Sequence, residues 1–128
     1  MGNETAGSGG YGPVLLDHFE HPRNLGEIPR PEAAVTVRAP GSRDSLQLTF
    51  RIRQDRIVEV RFRAGGCPVA IAAGSVATGL LEGRSIVEAL GLKDSEVIQA
   101  LGGLPSPRLR RSVLVARAVR EALGAHPH

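Results

Sequence analysis

The sequence is poor in several residue types, and these absences limit what the chain can be. It has one cysteine, Cys67, so it cannot form an internal disulfide and gives no sign of an oxidising compartment. It also has no apolar run long enough to cross a membrane and no charged-then-apolar leader of the signal-peptide type. We therefore expect a cytoplasmic protein with no membrane partner.

Aromatic residues are also scarce. There is no tryptophan, one tyrosine and three phenylalanines, whereas proteins that bind single-stranded nucleic acid usually stack the bases on aromatic side chains. The formal net charge is only +3, so we do not expect a nucleic-acid partner. The sequence has no phosphate-binding glycine loop and no Ser/His/Asp set in a suitable context, so we do not expect an enzyme.

Arginine, by contrast, is abundant. Of the 16 Lys and Arg residues, 15 are arginines, and Lys93 is the single lysine. Guanidinium groups are forked donors suited to carboxylates and phosphates. The arginines fall mainly on one face of two predicted strands (Arg51, Arg53, Arg61 and Arg63) and along the last predicted helix (Arg108, Arg110, Arg111, Arg117 and Arg120). A solvated surface is the preferred interpretation, and a binding module for RNA, DNA or an acidic partner protein is the alternative.

The order of the patterned segments predicts an α+β fold. Alternation of apolar and polar residues predicts strands over residues 34–39, 45–53 and 57–64. In the third strand, Val58, Val60, Phe62 and Ala64 are predicted to share the apolar face. Periodicity and capping signals predict helices over residues 14–21, 69–82, 86–90, 94–101 and 107–123. The strands come before most of the helices, without the alternation that a parallel sheet would need.

The length predicts one domain over residues 11–124. Residues 1–10 have no periodicity and are predicted to be a flexible segment, and residues 125–128 a tail. Asp94 or Ser95 is predicted to cap the fourth helix. The last helix is predicted to bury a stripe formed by Leu109, Val113, Ala116, Val119 and Leu123.

Cys67 occupies an unusual local setting. It follows a predicted strand and a Gly-Gly pair, and it precedes Pro68 and a helix pattern of small residues. This order predicts a thiol at a helix N-terminus, where unpaired N–H groups and the helix dipole favour the thiolate. A free cysteine is more commonly a small buried hydrophobic residue, and this setting makes the two interpretations about equal.

Four separated blocks of the sequence carry a resemblance to a known family. They are LDHFEHPRNLG at residues 16–26, APGSRD at 39–44, GCPVAIA at 66–72 and LPSPRLRRS at 104–112. In this order and spacing they resemble the iron–sulfur cluster assembly scaffold proteins of the IscU type, also called the NifU N-terminal domain. The resemblance covers residues 11–123, which is nearly the whole predicted domain.

The resemblance implies a three-stranded antiparallel sheet with helices packed on one face. It also implies a protein that holds a nascent cluster on three cysteines, assisted by an aspartate and often a histidine. Of these five positions only Asp44 and Cys67 match, while Ser42, Arg110 and Arg111 replace the first cysteine, the histidine and the third cysteine. Asp44 and Cys67 are therefore candidate metal ligands of an incomplete site. Because a cluster normally needs four protein ligands, we do not expect a monomer to hold a cluster or iron stably.

Three alternatives remain open for this site. In the first, two chains share one cluster or metal ion, with Cys67 and Asp44 from each chain. In the second, the fold has lost its metal and acts as a partner-binding or regulatory paralogue. In the third, Cys67 is a reactive thiol activated by Arg110, Arg111 and the helix N-terminus, with Asp44 opposing that activation. Asp44 is equally well explained as a turn residue, and Ser42 is better explained as a turn residue than as a ligand.

The resemblance also implies partners, namely a cysteine desulfurase, a chaperone of the Hsp70 type, apo acceptor proteins and a second copy of the chain. Arg111 cannot take sulfur from a desulfurase as the family's third cysteine does. The candidate segment for chaperone recognition consists of Leu104, Pro105, Ser106, Pro107 and Arg108. A plain extended loop ahead of a helix explains its prolines equally well.

Overall fold

The computed structural model of the chain describes residues 11–124. The predicted flexible segment at residues 1–10 and the predicted tail at 125–128 lie outside this range. The strands are β1 (Ala33–Arg38), β2 (Ser45–Arg53) and β3 (Arg56–Gly65). The helices are α1 (Pro13–Glu20), α2 (Pro68–Leu81), α3 (Ile86–Leu90), α4 (Asp94–Ala100) and α5 (Val115–Leu123), with a 3₁₀ helix over Pro107–Ser112. No helix within residues 11–124 is long and apolar enough to span a membrane.

The strands form one antiparallel sheet in the order β1-β2-β3, and this confirms the predicted α+β fold. Strand β2 lies in the centre and alternates as its sequence predicts, with Leu46, Leu48 and Phe50 buried on the face that the helices cover. Helix α2 packs against β3, and α5 packs against β1 and β2. The core therefore lies between one face of the sheet and these two helices.

The predicted apolar face of β3 is wrong at one residue. Arg51 pairs with Glu59, but the next residue, Ile52, pairs with Ile57, so Val58 has no partner in the register. This one-residue bulge turns Val58 outward, where 45% of its surface is exposed, and buries Ile57 in its place. A strict period of two cannot reveal such an insertion, because the inserted residue exchanges the two faces of the strand.

Helix α2 lies close to the sheet because its residues are small. Gly74 faces the ring of Phe62, and a β-carbon there would lie 2.7 Å from Cε2 of that ring. Ser75 of the same helix bonds Nδ1 of His18 in α1 at 2.7 Å. Thr78 accepts a bond from the amide of Asn24 at 3.1 Å, so the chain that follows α1 is also held against α2.

The last helix differs from the prediction of one segment over residues 107–123. Its first part is the 3₁₀ helix, and α5 begins only at Val115. The predicted stripe is therefore divided: Leu109 lies in the 3₁₀ helix, Val113 in the connection, and Ala116, Val119 and Leu123 in α5. Val113, Val119 and Leu123 are buried, whereas Leu109 and Ala116 are half-buried.

The predicted cap of the fourth helix is also wrong. Lys93 occupies the position before α4, and its backbone N–H donates to Glu96 at 2.9 Å. Asp94, the first residue of α4, instead accepts the backbone N–H of Ala116 at 2.8 Å. It therefore caps the first turn of α5, which local sequence signals cannot show because the two residues lie far apart along the chain.

Candidate metal and cleft site

Three separate parts of the chain meet at Asp44. Oδ1 of Asp44 accepts the backbone N–H of Cys67 at 2.8 Å, and Oδ2 accepts the hydroxyl of Ser112 at 2.5 Å. Asp44 ends the turn before β2, Cys67 precedes α2, and Ser112 ends the 3₁₀ helix. Only 8% of Asp44 and 7% of Ser112 are exposed to solvent. One carboxylate thus joins the turn, the α2 N-terminus and the 3₁₀ helix at one end of the sheet.

Cys67 lies beside this carboxylate and is half-buried. It is the N-cap residue of α2, with Pro68 as the first helical residue, as its sequence predicts. Its Sγ lies 3.3 Å from Oγ of Ser112 and 3.7 Å from Oδ2 of Asp44. The thiol of Cys67 and the carboxylate of Asp44 therefore face each other as a pair of candidate metal ligands.

Gly66 makes the close approach of Asp44 possible. Its φ is +103°, a conformation that side chains disfavour, and a β-carbon at this position would lie 2.7 Å from Cα of Asp44. The Gly-Gly pair before the cysteine thus has a structural reason, which is to admit the carboxylate next to the Cys67 amide.

The hydrogen bonds at Asp44 favour its charged form. Burial alone would raise the pKa of this carboxyl. Hydrogen bonds from the Ser112 hydroxyl, from the amide and thiol of Cys67 and from the Ser42 side chain together outweigh burial, so its pKa is lowered. Tyr11 lies near the same charges. Burial, and then the charges of Cys67 and Asp44, raise the pKa of the Tyr11 phenol.

The other predicted site residues lie near Asp44 and Cys67 but have separate roles. Ser42 is exposed, and its Oγ accepts the backbone N–H of Asp44 at 3.0 Å, which is the bond of a turn residue. Arg110 and Arg111 are both exposed. In the predicted chaperone segment, Pro105, Pro107 and Arg108 are exposed, and Leu104 and Ser106 are half-buried.

An open cleft of about 600 Å³ adjoins the cluster, between the β1–β2 turn and the 3₁₀ helix. Asp44 and Ser112, which bond each other, also line the cleft. Arg110 and Cys67 do not line it. Its remaining lining residues are Ala39, Pro40, Gly41, Ser42, Arg108, Leu109 and Arg111.

The donor set does not fit a complete cluster within one chain. Within residues 11–124, no group of three or more His, Cys, Asp and Glu side chains is close enough to hold a metal ion. The side chains that meet at Asp44 offer one thiol and one carboxylate, and the carboxylate already accepts hydrogen bonds from the Cys67 amide and the Ser112 hydroxyl. Iron–sulfur clusters are normally held by four protein ligands, so the described residues alone do not supply a complete ligand set.

Comparisons with known proteins identify the family of the chain. A family model described as the NifU-like N terminal domain matches residues 10–128. The chain belongs to this family. The resemblance seen in its four sequence blocks is thereby confirmed, together with the fold that it implies.

Relatives in this family are named for cluster assembly. The chain is 37% identical over 113 residues to the iron–sulfur cluster assembly scaffold protein IscU 1 of Archaeoglobus fulgidus, covering 88% of this chain and 74% of that protein. It is 32% identical over 122 residues to the scaffold protein IscU of Azotobacter vinelandii, covering 92% and 94%. A crystal structure of a NifU-like protein (N-terminal) from Brucella abortus superposes with a TM-score of 0.71 at 14% identity, covering 88% of this chain and 91% of that one. At that identity the likeness concerns the fold alone.

Sequence reasoning missed two residues of the site. Ser112 belongs to the last of the four blocks, but it stands beside the substituted positions and not at one of them. Its position at the end of a 3₁₀ helix directs its hydroxyl to Asp44, and no periodic pattern shows this. Tyr11 precedes the first helix and carries no local signal of its proximity to Asp44 and Cys67.

Proposed function

We propose that this NifU-like domain acts in iron–sulfur cluster assembly as a scaffold-type protein that receives iron or a nascent cluster as cargo. The observation that carries this proposal is the pairing of Cys67 with Asp44, whose Sγ and Oδ2 atoms lie 3.7 Å apart. Thiolate and carboxylate are both known ligands of iron and zinc. The names of the IscU relatives support the same role, which is one of binding and not of catalysis.

The spacing of this pair suits a single metal ion. With a metal–sulfur distance of about 2.3 Å and a metal–oxygen distance of about 2.1 Å, tetrahedral geometry separates the two donors by about 3.6 Å. The observed distance of 3.7 Å is close to this separation. The Ser112 hydroxyl occupies one side of Oδ2, and the second lone pair of that oxygen remains available to a metal ion.

The missing donors are best supplied by a second copy of the chain. Two copies would bring two thiolates and two carboxylates, which makes four ligands by symmetry. Arg110 and Arg111 stand where the family has a histidine and its third cysteine, and guanidinium groups do not ligate metals. A single chain is therefore expected to lose its cargo readily.

Anaerobic reconstitution with iron and sulfide tests the proposal. After desalting, we expect about half a cluster per chain, as four ligands shared by two chains require. Cys67→Ser should abolish retention, and Asp44→Asn should reduce it severalfold. Asp55→Asn is the matched control, because Asp55 is exposed in the β2–β3 turn. No iron on the unaltered chain, or equal retention by Cys67→Ser, would overturn the proposal.

The second candidate function is a ligand-depleted module that binds partners of the assembly machinery. It is favoured by the closed bonding around Asp44, which satisfies both carboxylate oxygens without a metal ion. The sheet arginines support it less, since Arg51 donates to the Pro29 and Arg30 carbonyls and Arg61 pairs with Glu59.

The exposed segment at residues 104–108 is the candidate contact for a chaperone, and a desulfurase and apo acceptors are the other expected partners. Titration of a purified chaperone of the Hsp70 type with the unaltered chain and with Pro107→Ala tests this contact. We expect binding that the variant weakens, and equal binding by both would contradict the assignment.

A further inference from the structure

We propose that the cleft between the β1–β2 turn and the 3₁₀ helix is a binding site for a small organic carboxylate. Its volume of about 600 Å³ lies in the range of sites for small molecules. It combines an apolar lining from Ala39, Pro40 and Leu109 with the charged side chains of Arg108 and Arg111. This inference goes beyond the proposed role in cluster assembly and does not require a metal ion.

The 3₁₀ helix explains why two of its arginines line the cleft and the third does not. With three residues per turn, side chains at positions i and i+3 project on the same side. Arg108 and Arg111 have this spacing, and Leu109 and Ser112 form a second row of the same kind. These two rows line the cleft, whereas Arg110 lies on the third side of the helix. The lining of the cleft agrees, because it includes Arg108 and Arg111 but not Arg110.

Neither of the two cleft arginines forms an ion pair with another of the residues 11–124. Among residues 11–124, no carboxylate lies within 4.0 Å of the guanidinium groups of Arg108 and Arg111. Other arginines of the chain are paired, such as Arg117 with Glu121 at 2.9 Å. Forked guanidinium donors match the two oxygens of a carboxylate, so a pair of them on one side of a cleft favours an anion.

Two further groups shape the charge of the cleft. Ser42 accepts the N–H of Asp44 through its Oγ, and its side chain also helps to lower the pKa of the Asp44 carboxyl by hydrogen bonding, so it supplies no free donor to a ligand. Asp44 also lines the cleft, and its negative charge opposes an anion. Its two oxygens already accept bonds from Ser112 and the Cys67 amide, so part of that charge is compensated within the protein.

The lining selects a carboxylate on a hydrocarbon body over inorganic phosphate. Sites for phosphate usually present several backbone N–H groups at the start of a helix. Here Pro107 begins the 3₁₀ helix and has no N–H, and much of the remaining lining is apolar. A short dicarboxylate such as glutarate offers both the charge and the apolar contact.

Titration of the metal-free, ¹⁵N-labelled full chain with glutarate at constant ionic strength tests the proposal. We expect saturable shifts of the amides at residues 39, 41–44 and 108–112, with a dissociation constant on the order of 1 mM. Glutaramide, the uncharged analogue, should not bind. The double variant Arg108→Gln/Arg111→Gln should weaken binding about tenfold, because it removes both forked donors.

The double variant Arg43→Gln/Arg110→Gln is the matched control. It loses the same charge from exposed arginines that do not line the cleft, so binding should change by less than about twofold. Asp44→Asn should strengthen binding by roughly threefold, because it removes the opposing charge.

Equal weakening by the two double variants would show diffuse attraction and overturn the site. Equal binding of glutaramide would overturn its selectivity for a carboxylate, and equal binding of phosphate would overturn the class of ligand. The titration contains no iron, so its failure would leave the reconstitution result unchanged. Conversely, a chain that retains no iron can still bind glutarate, and the two proposals therefore fail separately.

Discussion

At the residue scale, Asp44 determines how the turn, the α2 N-terminus and the 3₁₀ helix are joined. A buried carboxylate is costly unless hydrogen bonds replace the water that it loses. Here the Cys67 amide and the Ser112 hydroxyl supply those bonds, one to each oxygen. The same bonds that hold the fold together at this point also hold the carboxylate beside the thiol.

We expect Ser112→Ala to lower the free energy of unfolding by about 1–3 kcal/mol at neutral pH, because Oδ2 of Asp44 loses its donor. The lowered pKa of Asp44 means that its ionised form stabilises the fold above about pH 4, and that this contribution is lost as the pH falls through the folded-state pKa. Urea unfolding should therefore show a smaller difference in the free energy of unfolding between Ser112→Ala and the unaltered chain at acidic pH than at neutral pH. Ser106→Ala is the control, and a deficit that does not depend on pH would contradict the assignment.

Gly66→Ala should destabilise the chain by at least about 2 kcal/mol, since it combines a positive φ with a contact against Cα of Asp44. Gly79→Ala is the matched control. Gly79 lies in α2, and a β-carbon added there would meet nothing within 4 Å, so alanine should stabilise the helix by about 0.5–1 kcal/mol. Denaturant unfolding measures both, and changes of the same sign in the two variants would refute the role given to Gly66.

The sequence allowed part of this site to be foreseen. Asp44 and Cys67 stand in blocks that match a family, so their proximity follows from the resemblance. Ser112 and Tyr11 were missed, because a hydroxyl that bonds a carboxylate 68 positions away leaves no local periodicity. Whether Asp44 and Cys67 ligate a metal ion stays a prediction.

At the scale of elements, the strands and helices that the sequence predicted best are those whose signals are local. In strand β2 apolar and polar residues alternate in the sequence, and Leu46, Leu48, Phe50 and Ile52 are all buried as predicted. Ser85 with Glu88 forms the predicted capping box of α3. The errors occur where tertiary contacts decide. The bulge at Val58 shifts the register of β3, and the division of the last helix depends on the bonds that Ser112 and Asp94 make with distant parts of the chain.

Asp94 provides a test of how α4 and α5 are joined. We expect Asp94→Ala to cost about 1 kcal/mol, because the Ala116 N–H in the first turn of α5 loses its acceptor. Asp94→Asn keeps an acceptor oxygen and should stay within about 0.5 kcal/mol of the unaltered chain. Thermal and urea unfolding of the two variants give these differences, and an equal loss in both would contradict the capping role.

The pH dependence at Asp94 has the opposite sign to that at Asp44. Burial raises the pKa of Asp94, although the bond from Ala116 opposes this. The folded state therefore holds the proton more tightly, and stability from this group falls as the pH rises from about 4 through the folded-state pKa. Asp94→Asn should lack this decline. Measuring the free energy of unfolding of the variant and of the unaltered chain over the same pH interval tests this expectation.

At the scale of the whole molecule, the charges are distributed unevenly between paired and unpaired arginines. Arg51, Arg61 and Arg117 bond groups of the chain itself, and so part of the arginine-rich surface supports the fold. The arginines of the 3₁₀ helix have no such partners among the described residues, and they lie next to the one carboxylate–thiol pair. The end of the molecule near Asp44 therefore combines an incomplete set of metal ligands with unpaired positive charges.

The incomplete donor set predicts a link between iron and the association of chains. If two copies supply the four ligands, iron-loaded protein should sediment as a dimer, and the metal-free chain should sediment as a monomer at the same concentration. Cys67→Ser should remain monomeric with or without iron, and a chelator should return the loaded dimer to monomers. Sedimentation velocity under anaerobic conditions measures this directly. Iron that sediments with a monomer would show that donors other than a second chain complete the site, because two ligands per chain cannot hold a cluster.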